Sequence, residues 1–171
     1  MTPMSLDSFC QWLEATGPAT AIRENALLFP TIESFHVLAI TLVFGTIATI
    51  DLRLLCLASR ETRVSRLTAS LLPWTWSAFA VAAVTGTLLF SSNANAYAHN
   101  IYFQAKLLLM VGAAFNMVVF LWVGSRDLAT WDALPSTPAR ARVAGAFSLL
   151  IWIAVVACGR WIGFTMLRLS F

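Results

Sequence analysis

The stretch FPTIESFHVLAITLVFGTIATIDLRLL, residues 29–55, decides the fold. It is long and apolar, and nowhere alternates with the period of a half-buried strand. A helix needs about 20 predominantly apolar residues to cross the hydrocarbon of a bilayer. Lipid admits only structures that satisfy every backbone N–H and C=O internally, which means helices or closed barrels. Three further stretches read the same way, at about 71–90, 102–124 and 144–167. The expected fold is all-α, an integral membrane four-helix bundle.

Composition agrees with four spans. Of the 171 residues, 59% are hydrophobic and 11% charged, and the mean hydropathy is +0.78. Soluble domains carry roughly 25% charged residues, so lipid is the expected solvent. The net charge of +3 is a matter of topology rather than of a nucleic-acid partner. Arg53, Arg60, Arg63 and Arg66 lie between spans one and two, and Arg126, Arg140 and Arg142 between spans three and four. Short basic loops stay cytoplasmic, so both termini are expected on the periplasmic side of a bacterial inner membrane. Trp74 and Trp76 near one end of span two, with Trp161 toward the other end of span four, suit interfacial anchors.

The chain divides into residues 1–28, a periplasmic segment, and 29–171, the transmembrane domain. In the first, Leu6, Phe9, Cys10 and Leu13 fall at helical spacing opposite Asp7 and Glu14. That pattern predicts a short amphipathic interfacial helix, ended by Gly17-Pro18. The beginning of the chain has neither a basic n-region nor a long apolar run, so a cleavable signal peptide is not expected. Pro30 and Pro73 are expected in the first turns of spans one and two. Small residues four apart, Ala78, Ala82 and Gly86 in span two and Thr41, Gly45 and Thr49 in span one, read as packing seams. They lie within the chain or between copies of a homo-oligomer, with Ala78–Ala82–Gly86 the leading contact. Cys10, Cys56 and Cys158 form no CxxC and no disulfide framework.

Ionisable groups inside spans are costly and mark function. Span one carries Glu33 and His36, span three Lys106, and span four Arg160. By helical rise, His36 and Arg160 lie about 10 Å below the outer boundary, with Glu33 and Lys106 near it. One reading is structural: Glu33 pairs with Lys106 or Arg160 and fixes helix register. The other is a cofactor site. Histidine is a common axial ligand of b-type haem. His36 would bind the metal, Lys106 and Arg160 would pair with the propionates, and His99 is the other histidine available as a ligand. His99 lies about 15 Å shallower than His36 on an ideal helix, so it serves only if residues 91–100 fold into the bundle mouth. Met110 and Met117 share a face of span three and are expected in the core. No HExxH, phosphate-cradling glycine loop or nucleophile elbow is present.

Several strings carry a resemblance: ESFHVLAITLVFG (33–45), DLRLL (51–55), LPWTW (72–76), TGTLLF (85–90), FQAK (103–106) and ACGRWIGF (157–164). Together they resemble an uncharacterised bacterial family of small four-helix inner-membrane proteins. In layout the family is similar to copper-resistance-D-type membrane domains and, more loosely, to b561-type cytochromes. The family implies no agreed activity; the b561-type cytochromes hold haem b through histidines, and the partner expected with a haem reading is a quinone or a periplasmic redox protein. Glu33, His36, Lys106 and Arg160 fall within the matching strings; His99 does not. Cys56 stands where the family pattern has glycine, and Leu121 where some members carry histidine. The expected function is electron transfer near the periplasmic face. The alternative is a cofactor-free oligomeric scaffold, or a protein handling a small solute or metal through the polar pocket.

Overall fold

A computed structural model describes residues 5–59, 61–124, 128–132 and 136–168. Arg60 and Arg126 lie outside the described residues. Among those described, the chain is helical throughout: α1 (Leu6–Glu14), α2 (Gly17–Glu24), α3 (Leu28–Leu54), α4 (Val64–Ser92), α5 (Ala94–Ala98), α6 (Ile101–Val119) continued by a π-helical turn (Phe120–Gly124), α7 (Leu128–Trp131) and α8 (Ala139–Arg168). Four helices are long and apolar enough to cross a membrane: Leu28–Leu54, Val64–Ser92, Ile101–Trp122 and Ala139–Met166. The chain is a multi-pass membrane protein built as a four-helix bundle.

The spans pack as two pairs. α3 lies along α4, and α6 along α8; the pairs are joined where α3 meets α8. α6 makes only marginal backbone contact with α3 and α4, and it buries no residue fully. Met117 is accordingly exposed, so the expected place for it in the core is not its place. Between α3 and α4 the close approach rests on small residues. Ala78 and Ala82 are buried, and Gly86 abuts His36. This seam is internal to the chain. On α3 the Thr41, Gly45 and Thr49 row is different, with Thr41 and Gly45 on an exposed face and nothing within 4 Å of a Cβ built at Gly45.

Pro30 lies in the first turn of α3, as expected, but Pro73 does not open α4. That helix begins at Val64, and its first turn is capped from far along the chain. Asp132 Oδ1 accepts from the Ser65 backbone N–H at 2.9 Å, and Oδ2 from the Ser65 hydroxyl. Burial pushes the Asp132 carboxyl up, but these bonds, the Val64 amide and the Arg63 charge outweigh it and hold the group below the ordinary carboxylate value. α4 is therefore longer than its apolar window.

The two ends of the bundle differ. One end carries the basic loops and a small core of Leu54, Val64, Trp131 and Ala141. There Arg53 is 1% exposed. Its Nε donates to the Thr62 carbonyl at 2.7 Å and its Nη1 to the Thr137 hydroxyl at 3.2 Å. The other end is capped by α1, α2 and α5. α1 does not lie free: Cys10 is buried and α1 packs on α5, α4 and α2. Glu14 Oε1 accepts from the Asn95 amide at 2.7 Å. Leu6, Phe9 and Trp12 remain exposed, an apolar rim of the kind that sits in a bilayer interface. Gly17-Pro18 ends α1 and also starts α2, since proline fits a first turn.

Candidate functional site

The strongest cluster lies in the capped half, between the two helix pairs. His36, on α3, is half-buried, and its Nδ1 is 2.9 Å from Thr85 Oγ1 on α4. The Thr85 hydroxyl has its own acceptor, the Val81 carbonyl at 2.7 Å. A hydroxyl has one proton to give, and the shorter bond takes it. The bond to the imidazole is then Nδ1–H donating to Thr85, which leaves a lone pair on Nε2. A Cβ at Gly86 would stand 2.9 Å from His36 Cε1, closer than side chains tolerate. Glycine at this position is what lets the ring lie against α4. The TGT string is thus a holder for one imidazole.

Lys106 approaches from α6. It is half-buried, close enough to His36 and to Cys158 on α8 to act on both electrostatically. Its Nζ lies 3.9 Å from where a Gly159 Cβ would be. Among the described residues its ammonium makes no hydrogen bond and no ion pair. A cation within a span normally finds a partner, so this one is available to an anionic group.

The other expected members are elsewhere. Arg160 is exposed and stacks its guanidinium on Phe164 of its own helix, 4.7 Å from the ring centroid. Glu33 is exposed and pairs with neither Lys106 nor Arg160. It acts instead on Tyr97, whose phenol burial pushes up, with the Glu33 carboxylate adding to the effect. His99 is 59% exposed, with Nε2 3.4 Å from Asp7 on α1. Its Nδ1 is 2.9 Å from the Asn95 carbonyl. Residues 91–100 fold against α1, and the His99 imidazole turns to that helix instead of to His36. Among the described residues no group of three His, Cys, Asp or Glu side chains gathers to hold a metal.

Sequence reasoning missed Thr85 and Gly86 as partners of His36. Their signal was present in the TGT string, at the helical spacing from Ala78 and Ala82 that marked the seam. Asn100 satisfies local backbone, as a loop asparagine is expected to, its Oδ1 capping α6 through Tyr102 N at 2.9 Å; sequence reasoning did not anticipate its reach to α8. Its Nδ2 reaches Thr165 Oγ1 on α8 at 2.8 Å. Phe90 and Phe103 stack below this cap at 5.3 Å.

Residues 20–165 match DUF6644, a family of unknown function, and the chain belongs to that family. No curated protein and no solved structure matches it.

Proposed function

We propose that this member of DUF6644 is a membrane b-type haem protein that passes electrons near the capped face, with His36 as an axial ligand. The observation that supports it is the hold on His36: its Nδ1 lies 2.9 Å from Thr85 Oγ1, and with Nδ1 as the donor Nε2 keeps its lone pair. Metal-ligating histidines are held in this manner, the second nitrogen donating to a neighbour that fixes tautomer and orientation. Haem, when bound, supplies one-electron chemistry. The chain's own residues fit part of that group. His36 offers one axial nitrogen, Thr85 orients it, Gly86 gives the ring its room, and Lys106 offers an uncompensated cation to a propionate. Arg160, exposed at the same end, suits a propionate at the rim better than one inside. His99, turned to Asp7, leaves one histidine per chain for the metal. A second copy in a homo-oligomer would be the source of another.

Seven of the eleven basic residues fall in the sequence segments joining spans one to two and three to four, which supports a bacterial inner-membrane topology with the capped face and both termini periplasmic. Electron partners are then a quinone or a periplasmic redox protein. The likeness to copper-resistance-D-type and b561-type membrane proteins points the same way.

The test is spectroscopic. Protein purified from cells supplied with haem precursor should show a Soret band. His36→Ala should lose it while still inserting into the membrane, and Thr85→Val should weaken it. A full Soret band in His36→Ala ends the assignment. One observation favours a second reading, a cofactor-free scaffold or small-solute or metal-handling protein: the unpartnered Lys106 ammonium. A colourless wild-type protein under those conditions supports that reading instead.

A further inference from the structure

At the basic end a carboxylate sits that the proposed function leaves unused. Asp51 is 4% exposed and lies in the last turn of α3. Its Oδ2 has no hydrogen-bond partner. The Ser148 hydroxyl of α8 is the side chain that hydrogen-bonds to the group. α8 closes over it: a Cβ at Gly145 would stand 3.0 Å from Leu54 Cβ and 3.3 Å from the Asp51 carbonyl.

Among the described residues no cation is paired with this carboxylate. The Arg53 guanidinium, two residues along the same helix, is directed to Thr62 and Thr137. Arg66 on α4 and Arg140 and Arg142 on α8 are exposed, and Arg142 acts on Cys56. Asp132 bonds to Ser65. An ionised carboxylate buried without a counter-ion costs far more than one hydrogen bond returns. One positive charge neutralises it, whereas a divalent ion would leave a buried excess.

We infer that Asp51 is a binding site for one monovalent cation, a proton or a sodium ion, in the half of the bundle opposite His36. The two groups are about 22 Å apart along α3 at 1.5 Å per residue. The site therefore neither needs nor tests the haem reading. Intramembrane carboxylates of this kind take up ions from one face of a membrane, and Ser148 is placed to share the ligand. The proton is the simpler occupant, because sodium requires several oxygen ligands and the neighbourhood offers few.

The test uses the full chain in native membranes and two readouts. Dicyclohexylcarbodiimide attacks protonated carboxyls in apolar surroundings, and mass spectrometry of the labelled peptide should find the adduct on Asp51. In sodium-free buffer the infrared band of a protonated carboxyl should be present in the wild type. Asp51→Asn, nearly isosteric, should lose both, with its elution from a sizing column checking the fold. If sodium is the ligand, sodium chloride protects against the label and choline chloride does not. If the proton is the ligand, labelling rises as pH falls and is indifferent to sodium. A wild type with neither a carboxyl band lost in Asp51→Asn nor label on Asp51 at any pH or sodium concentration overturns the site.

Discussion

Cys56 sits at φ 58°, in the left-handed region, directly after the DLRLL string. A side chain there costs about 1–2 kcal/mol, a cost that glycine, the residue the resemblance implies at this position, would not carry. Cys56→Gly should raise stability by up to roughly 1 kcal/mol after the loss of chain stiffness is counted. Thermal unfolding in detergent measures it, and a lower midpoint would show that the thiol's contact with Thr137 outweighs the strain. That contact, 3.4 Å from Sγ to Oγ1, is the largest reason the thiol lies below its ordinary value; Arg53 and Arg142 add to it and burial opposes it. A lowered thiol is thiolate at lower pH. In a Cys10→Ser, Cys158→Ser background, alkylation should therefore begin to accelerate at a lower pH than for free cysteine. Thr137→Val should shift the profile upward, and an unmoved profile would remove Thr137 as the cause. At this scale the sequence exposed His36 and Lys106 by their cost in lipid. It could not tell that Glu33 and Arg160 turn outward, because helical rise assigns depth and says little about which neighbour a side chain meets.

Apolar windows located all four spans, since hydropathy reports the part of a helix that lies in hydrocarbon. They missed the first turns of α4, residues 64–70, because that extension is polar and depends on Asp132, 67 residues away. Pro73 was misassigned for the same reason: it marks where the apolar window starts, while the helix starts at Val64. Asp132→Ala should lower stability by about 1–3 kcal/mol, the range for losing a charged hydrogen-bonding cap. The pH dependence has a definite sign. With the folded carboxyl lowered, its contribution is complete above the ordinary carboxylate value and is lost as pH falls through the folded one. The wild type should thus lose stability in acid faster than Asp132→Ala, in a pH series of unfolding midpoints. Parallel curves would assign the cap no role.

For the whole molecule, pairing of α3 with α4 and of α6 with α8 leaves α6 loosely held, a feature no span-by-span reading of the sequence could supply. The Ala78–Ala82–Gly86 seam is consumed by this pairing, so any contact between copies must use another face. Native mass spectrometry from mild detergent should find multiples of the 18.7 kDa chain. A single species at that mass would end the homo-oligomer. For topology, cysteines substituted near Arg63 and Ala139 should resist labelling from outside intact cells, while those near Asn95 should react; the reverse pattern inverts the protein. The Arg53 junction carries a consequence for biogenesis. Its guanidinium reaches Thr62 nearby but also Thr137, 84 residues on, which leaves the ribosome only after three spans have been made. Until then the bond between Arg53 and Thr137 cannot form. A product truncated before Thr137 cannot complete this junction.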